Sequence, residues 1–165
     1  MTRKLAYRVE FQGLPISVEN RKGSNRYWHD PNSGEDGKTK QHYPYGYVRG
    51  TLGVDGDEVD IYLGPDKQSD KVFIVTQMKA PEFSDIDEQK TFIGFSSPKE
   101  AKTAYLKHFD DPKFFGSIKE MTLEEFKTKL KSHKGKLIKS EPIYIKKAIV
   151  DSNIFKGPYL YLETN

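Results

Sequence analysis

Three aspartates lie within six positions of the stretch from Tyr43 to Pro65, at Asp55, Asp57 and Asp60. The glycine between the first two permits a tight turn, because glycine adopts backbone angles that other residues avoid. The run Val59–Leu63 alternates apolar and polar residues, which is typical of a half-buried strand with every second residue facing a core. The spacing therefore predicts that three carboxylates converge at the start of a strand.

Carboxylates that lie so close together repel one another, so the pKa of at least one of them rises unless a cation is bound. Their hard oxygen atoms suit Mg²⁺, Mn²⁺ or Ca²⁺. A solvated acidic turn is the plain alternative, since Asp and Gly are ordinary turn residues. A structural Ca²⁺ turn is a weaker one, because the spacing differs from the EF-hand. The phase of Asp60 on its strand and the preceding Tyr-Gly-Tyr favour a metal site.

Further charged residues are available to such a site. A second acidic turn carries Asp85, Asp87 and Glu88, which we expect to add to the first cluster. The polar segment Asn20–Gln41 is predicted to be a long loop or loose hairpin. This segment is positively charged, and we expect some of its cations to meet an anion held by the aspartates: Lys22, Arg26, Lys38 and Lys40.

The elements that must position these residues are mostly strands, followed by helices. Apolar patterning predicts two short strands around a turn at Gly13–Pro15, then strands at 59–63, 71–78 and 90–95. Capping signals predict one helix that starts after Ser97 and runs to Phe109, and another that starts near Thr122 and runs to about His133. This order predicts an α+β protein, with a small antiparallel barrel or sheet packed with helices.

The composition sets outer bounds on function. One domain is expected over residues 1–165, with its core at about 5–133 and a β-like extension at 134–165. The net charge of +3 is mild, so nucleic acid is not expected as a partner but is not excluded. The chain has no cysteine, which excludes disulfides, thiolate catalysis and Cys-zinc sites. No apolar stretch predicts a signal peptide or a membrane span, so a cytoplasmic location is expected.

The stretch YPYGYVRGTLGVDGDEVDIYLGP resembles the motif of the soluble inorganic pyrophosphatases of family I, the Mg²⁺-dependent enzymes built on an OB barrel. Within that family the sequence most resembles the pyrophosphatase-like domains of phage and mobile-element proteins. The resemblance implies a small antiparallel OB-like β-barrel packed with two or so helices. It covers roughly Ile16–Phe95, and it departs from the family in the missing Asn before the Tyr-Gly-Tyr and in Glu88, where the family has Asp.

Carried over position by position, the resemblance implies a set of roles. Asp55 and Asp60 would bind metal, with Asp60 bridging two ions, and Asp57 would be the general base for the attacking water. Tyr45 would be the active-site tyrosine. Other positions would complete the metal and phosphate contacts: Glu19, Asp85, Asp87 and Glu88 near the metals, and Arg26, Lys22, Lys90 and Lys38 on the substrate side.

The resulting hypothesis is Mg²⁺-dependent hydrolysis of inorganic pyrophosphate to two phosphates by a metal-activated water, with Mn²⁺ as a second suitable ion. One rival is hydrolysis of another phosphoanhydride such as a nucleotide, whose base would be held by Tyr27 and Trp28. The other rival is a non-catalytic OB-like module that binds nucleic acid or a protein partner. Five aromatic rings could stack on bases in such a module: Tyr43, Tyr45, Tyr47, Tyr62 and Trp28. Pyrophosphate is the expected small-molecule partner, and homo-oligomerisation is left open.

Overall fold

A computed structural model describes residues 5–31, 33–51 and 58–132, together with the backbone of two short segments at 145–146 and 160–161. Side chains are described up to residue 130. The predicted site residues Asp55 and Asp57 lie outside the described residues, and so does most of the predicted extension 134–165.

Strands dominate the described part of the chain, and the helices come late. The strands and helices are β1 Tyr7–Phe11, β2 Leu14–Asn20, β3 Asn25–His29, β4 Asp36–Lys40, β5 Tyr45–Val48, β6 Asp60–Leu63, β7 Lys71–Met78, β8 Ile86–Ile93, α1 Pro98–Leu106, β9 Phe115–Thr122, α2 Leu123–Ser132, β10 Ile145–Lys146 and β11 Leu160–Tyr161. A short 3₁₀ turn at Pro112–Phe114 precedes β9.

Seven strands form one sheet in the order β1-β2-β5-β6-β8-β7-β9. Neighbours in this sheet run antiparallel, except for β6 and β8, which are parallel. β3 and β4 form a separate antiparallel hairpin, and β10 pairs with β11. The prediction of an α+β fold with a small, largely antiparallel β structure and two helices is confirmed, and the arrangement is consistent with an OB-like fold.

The two faces of the large sheet are packed differently. Residues paired in register share a face, so Tyr45, Tyr62, Phe92 and Phe73 all lie on one side. They belong to a buried cluster that also takes in the inner side of α1, and we call this side the aromatic face. The opposite side is built from aliphatic residues and covered by α2, and we call it the aliphatic face; its core includes Ile16, Val18, Ile61, Val72, Ile74, Ile93, Phe126 and Leu130.

Local sequence signals explain both helix starts. The Ser97 hydroxyl accepts a hydrogen bond from the Glu100 backbone N–H, and Pro98 occupies the first turn of α1. Thr122 and Glu125 cap α2 reciprocally, because each side chain accepts from the backbone N–H of the other. These caps confirm the predicted starts, although α1 ends at Leu106 and not at Phe109.

Two strands differ from their local sequence pattern. β8 begins at Ile86, so the prediction of an acidic turn is wrong for Asp87 and Glu88, which lie in a strand. The pattern around Gly116 favours a turn or short strand, whereas this segment belongs to the eight-residue β9 along the edge of β7. Both differences arise because pairing with β7 satisfies the backbone hydrogen bonds of polar sequences whose local pattern does not predict a strand.

Candidate active site

A chain of two hydrogen bonds lies on the aromatic face. It joins Lys90 of β8 to Tyr45 of β5, and Tyr45 to Asp60 of β6. The Lys90 ammonium lies 3.1 Å from the Tyr45 hydroxyl, and that hydroxyl lies 3.1 Å from a carboxylate oxygen of Asp60. Lysine can only donate, so the Tyr45 oxygen accepts from Lys90 and its single proton is directed to Asp60. The order of donors in this chain is therefore fixed by chemistry: Lys90 to Tyr45 to Asp60.

Burial and charge keep Tyr45 protonated. The pKa of Tyr45 is raised, chiefly because burial penalises the phenolate and secondarily because of the negative charge of Asp60 and Glu88, against opposing contributions from Lys90 and Arg26. The phenol therefore remains a hydrogen-bond donor at neutral pH. A protonated Tyr45 between an ammonium and a carboxylate orients Asp60 without adding charge.

Lys90 is a buried cation, with 7% of its surface exposed, and it needs a charged partner. Its ammonium lies 3.3 Å from a carboxylate oxygen of Glu88. Burial alone would lower the pKa of Lys90, but the surrounding negative groups, Glu88 first, outweigh it and raise that pKa. Lys90 therefore stays positively charged and holds a fixed charge beneath Tyr45.

A β-bulge brings two consecutive carboxylates to the same place. In the pairing of β7 with β8, Gln77 is opposite Glu88 while Met78 is opposite Ile86, which leaves Asp87 as the extra residue. The Gln77 amide nitrogen lies 3.0 Å from an oxygen of Asp87 and 3.4 Å from an oxygen of Glu88. Regular strand alternation would point these two side chains to opposite faces, and the bulge overrides it.

The orientation of the Gln77 amide is set from behind. The Tyr105 hydroxyl of α1 donates to the Gln77 carbonyl oxygen over 2.9 Å, so the amide NH₂ has to face the carboxylates. The pKa of Asp87 is raised, first because neighbouring protein atoms displace water from its carboxylate and second because Glu88 repels the charge. Tyr105 of α1 therefore orients the buried Gln77, and Gln77 in turn contacts the carboxylates of Asp87 and Glu88.

Glu19 stands at a second bulge, on β2. Val18 is opposite Gly46 and Asn20 is opposite Tyr45, so Glu19 is the extra residue beside the strand that carries Tyr45. Gly46 is required there, because a side-chain carbon at this position would come within 1.9 Å of the Ser17 carbonyl oxygen. Close approach of β2 and β5 is therefore what sets Glu19 beside the Tyr-Gly-Tyr element.

Arg26 reaches the same group from the β3–β4 hairpin. Its guanidinium carbon lies 5.2 Å from the centroid of the Tyr45 ring, and the Lys90 ammonium lies 5.3 Å from the same centroid. Arg26 is exposed, in contrast to Lys90. The Tyr45 side chain therefore has one buried and one exposed cation close to it, and the exposed cation is available to an anion arriving from solvent.

The structure brings together six of the predicted site residues and leaves others apart. The assembled group is Arg26, Tyr45, Asp60, Asp87, Glu88 and Lys90. Lys38 pairs with Tyr27, on the hairpin face opposite Arg26. Lys22 is exposed ahead of β3, and Asp85 is exposed in the turn before β8, on the far side of the bulge at Asp87 from Lys90.

Within residues 5–31, 33–51 and 58–132, no three acidic or histidine side chains are grouped closely enough to hold a metal ion. The described residues next to the segment 52–57 are tied together, since the Val59 backbone N–H donates to the Thr51 hydroxyl over 2.9 Å. Asp60 follows directly, half-buried at the start of β6. The roles of Asp55 and Asp57 therefore stay predictions, which depend on the closeness of these residues to Asp60 in the sequence.

Gln77 is a site residue that sequence reasoning missed, and so is Tyr105, which holds it. Gln77 lies near the end of the predicted buried strand 71–78, two residues after the apolar run Val72–Val75, and this position is the one sequence signal that it faces inward. Neither residue carries charge, and their contact with the acids depends on the bulge at Asp87. That bulge is a property of strand pairing, which the local pattern does not report.

Comparison with known proteins bears on this arrangement. The family model described as Inorganic Pyrophosphatase matches residues 4–131, which is most of the chain. The chain belongs to the inorganic pyrophosphatase family. Members of this family are hydrolases that act on a phosphoanhydride, and the matched range includes the assembled group and the whole Tyr-Gly-Tyr to Asp60 stretch.

Two solved structures of inorganic pyrophosphatases are similar to this chain. One is from Neisseria gonorrhoeae, with 16% identity over 71% of this chain and 88% of that chain and a TM-score of 0.43. The other is from Coxiella burnetii, with 15% identity over 71% and 89% and a TM-score of 0.35. No curated protein sequence matches the chain. The family assignment therefore depends on the family model.

Both helices in the described ranges are too short and too polar to cross a membrane. The tyrosines that a base-stacking module would need are also unsuited to that role. Tyr45, Tyr47 and Tyr62 are 2%, 8% and 4% exposed, so they pack inside the domain. This packing disfavours the rival of a non-catalytic module that stacks nucleic-acid bases on these rings.

Proposed function

We propose that the chain hydrolyses inorganic pyrophosphate to two phosphates with the help of Mg²⁺. The observation that carries the proposal is the ordered chain from Lys90 through Tyr45 to Asp60, with Arg26 on the open side of the Tyr45 ring. The family match supports the reaction class. An acid next to two cations provides both kinds of group that a metal-pyrophosphate complex requires.

The described donors fit a hard divalent cation. Asp60 provides a half-buried carboxylate at the edge of the aromatic face, and the chain has no sulfur ligand of the cysteine type to draw in softer metals. We infer that Asp55 and Asp60 would hold the ion, with Asp87, Glu88 and Glu19 as further oxygen donors nearby. When bound, Mg²⁺ would neutralise charge on the substrate and make a coordinated water more acidic.

The protein's own groups divide the remaining work. Asp57 is proposed to take the proton from the attacking water. The Tyr45 hydroxyl, fixed between Lys90 and Asp60, orients the Asp60 carboxylate. The exposed Arg26, next to the Tyr45 ring, would contact the anion, while the buried Lys90 beside the Tyr45 hydroxyl would stabilise the negative charge from within the protein. Lys22 and Lys38 remain candidates for steering the anion, because both are exposed cations on or next to the hairpin.

The test is phosphate release from pyrophosphate, measured with Mg²⁺, with Mn²⁺ and with a chelator. We expect release to need the divalent ion, and Asp57→Asn to lower turnover about 100-fold to 10,000-fold because a general base contributes that much. Asp70→Asn is the matched control, since Asp70 is an exposed acid next to the far end of β7 from Gln77. Equal turnover of Asp57→Asn and Asp70→Asn would remove the assigned role of Asp57.

A folded, metal-loaded protein that releases no phosphate from pyrophosphate would overturn the proposal itself. The same assay run with nucleotides and inorganic polyphosphates then decides whether another phosphoanhydride is the substrate. This panel needs no change of enzyme or buffer. It therefore separates an error in the substrate from an error in the reaction class.

A further inference from the structure

We propose that the site also accepts nucleoside di- and triphosphates, with the base stacked on Trp28 and the phosphoanhydride on Arg26. This inference rests on the proposed function, because it uses the same hydrolytic centre. It concerns the β3–β4 hairpin, which the mechanism above uses only through Arg26. Trp28 and Tyr27 are the two large apolar side chains exposed in the described part of the chain, at 40% and 74%.

Trp28 is held as a flat, preorganised surface. Its ring lies directly on Gly37, where a side-chain carbon would come within 2.2 Å of the indole. The indole N–H donates to the Thr39 hydroxyl over 3.2 Å, which fixes the rotation of the ring. One side of the indole is thus covered by the hairpin backbone, and two-fifths of the side chain remains open to solvent. An ordered ring loses little entropy when a base stacks on it.

The strand register puts this surface on the same side of the hairpin as the catalytic cation. Arg26 is paired with Thr39 and Trp28 with Gly37, so these residues share one face, while Tyr27 and Lys38 share the other. Arg26 in turn lies over the Tyr45 ring. Trp28 and Arg26 are two residues apart, or about 7 Å along a strand, a separation that a ribose and a phosphate can span.

The charge along the hairpin is graded in the direction that a nucleotide would need. Exposed cations surround the end nearest the sheet, at Lys22, Arg26 and Lys40. The far end carries Asp36, which pairs with His29 over 2.6 Å. A polyphosphate is therefore drawn to the sheet end, next to Asp60 and Lys90, and an uncharged base is left over the indole further out.

The chemical step is the same as for pyrophosphate. Water attacks the terminal phosphorus of a nucleoside triphosphate, and the bond from that phosphorus to its bridging oxygen breaks. The bridging oxygen leaves on the nucleoside diphosphate, and the water's oxygen becomes part of the released phosphate. One water is consumed and its proton passes to Asp57, so no oxidant or reductant is needed.

Binding can be read directly, because Trp28 is the only tryptophan in the chain. The probe is ATP added with Mg²⁺ to the Asp57→Asn protein, in which turnover is slow. Tryptophan emission is excited at a wavelength where adenine does not absorb. We expect saturable quenching by ATP and much weaker quenching by inorganic triphosphate, which has the anhydrides but no base. ATP that leaves Trp28 emission unchanged would overturn the inference.

Kinetics test the same contact in the intact enzyme. For Trp28→Leu we expect kcat/KM for ATP to fall about 5-fold to 150-fold, the range for one base–aromatic stack, with far smaller changes for triphosphate and pyrophosphate. Trp28→Phe keeps a ring and should retain most ATP turnover. Tyr27→Leu is the matched control, because it removes the other exposed aromatic residue from the opposite face of the hairpin.

The outcomes separate this inference from the proposed function. If the protein cleaves pyrophosphate but neither binds nor cleaves ATP, the inference is overturned and the proposed function stands. If it cleaves ATP but not pyrophosphate, the proposed function is overturned and the inference stands. If Trp28→Leu lowers kcat/KM equally for ATP, triphosphate and pyrophosphate, the indole only stabilises the hairpin, and the inference is overturned. The inference is also overturned if ATP does not quench Trp28 emission while single-stranded RNA quenches it increasingly as the RNA becomes longer.

Discussion

The two faces of the large sheet use the same strands for opposite purposes. On β8, Lys90 faces the aromatic side and Thr91 the aliphatic side, so neighbouring residues enter two different environments. The aliphatic face is closed by α2 and leaves the Thr91 hydroxyl buried with no hydrogen-bond partner among the described residues. The aromatic face continues into the Lys90, Tyr45 and Asp60 chain. One side of the strand therefore stabilises the fold, and the other holds charge in place.

This difference changes what a buried polar atom costs. On the aliphatic face, an unpaired hydroxyl has lost its hydration and gained nothing, so its removal should be neutral or favourable. On the aromatic face, each polar atom satisfies another one, so its removal leaves a partner unpaired in a poorly solvated place. Adjacent positions on one strand thus predict opposite responses to loss of a polar group.

The largest expected effect comes from Lys90→Met. The change removes the donor beneath Tyr45 and leaves Glu88 without its cation, so we expect kcat/KM for pyrophosphate to fall about 100-fold to 1,000-fold, as on loss of a preorganised electrostatic contact. We also expect a lower melting temperature, because the Tyr45 hydroxyl and the half-exposed Glu88 carboxylate both lose a hydrogen-bonding partner. Steady-state kinetics and thermal unfolding measure the two effects separately.

Thr91→Val is the control for that substitution. It is the next residue on the same strand, it keeps the side-chain shape, and it removes the unpartnered hydroxyl. We expect unchanged kinetics and equal or higher stability. A Thr91→Val protein as impaired as Lys90→Met would show that the two faces are not functionally distinct.

The sequence predicts the regular parts of this design well. The apolar run of β7 marks a buried strand with the bounds found. The alternation from Val59 to Leu63 correctly puts Ile61 and Asp60 on opposite faces, although the prediction of a half-buried strand is wrong for Tyr62, which is buried on the face of Asp60. The capping pairs at Ser97 and Thr122 give the helix starts. These features depend on contacts between residues near in sequence, which is why the local pattern contains them.

The irregular parts are not in the local pattern. The bulges at Glu19 and Asp87 depend on which residue of a distant strand lies opposite, and a shift of one residue changes the face of every side chain that follows. The burial of Lys90 likewise follows from its place between β6 and β7, not from its neighbours on β8. The candidate site is concentrated where the sheet departs from regularity, and this limits what one sequence predicts.

A second, smaller effect is a loss of folding stability at acidic pH, which should arise from a histidine on the aromatic face. His108 is buried there against Tyr62 and His42, and burial, with nearby positive groups adding, lowers its pKa from 6.5 to about 4. The unfolded chain binds the proton first as the pH falls, so stability is lost between about pH 6.5 and pH 4. The loss should be on the order of 2 to 3 kcal/mol.

His108→Gln isolates this contribution. The ring accepts from the His42 backbone N–H over 3.0 Å and contacts the Ala104 carbonyl, and a glutamine amide offers the same donor and acceptor without titrating. Denaturant unfolding across this pH range should show a shallower loss of stability in the variant than in the wild type. Parallel curves for the two proteins would remove His108 from the account of acid sensitivity.

The smallest effect separates two buried glutamines on opposite faces. Gln77 donates to Asp87 and Glu88 on the aromatic face, whereas Gln89 donates to the Thr76 hydroxyl on the aliphatic face. Replacing Gln89 by methionine should cost about 1 kcal/mol of stability and replacing Gln77 about 2 kcal/mol, because the bonds of Gln77 go to charged carboxylates. Only Gln77→Met should also raise the Mg²⁺ concentration needed for half-maximal pyrophosphate turnover, by about tenfold, since it releases carboxylates proposed to lie near the metal.

Excess Mg²⁺ provides the deciding measurement for that pair. If Gln77 acts by positioning Asp87 and Glu88, saturating Mg²⁺ should restore most of the turnover of Gln77→Met, because the carboxylates themselves are still present. A loss of turnover that no concentration of Mg²⁺ corrects would place the role of Gln77 in packing against Tyr105. An equal Mg²⁺ shift in Gln89→Met would show that either face transmits strain to the site, and the division between a stabilising face and a charge-holding face would then fail.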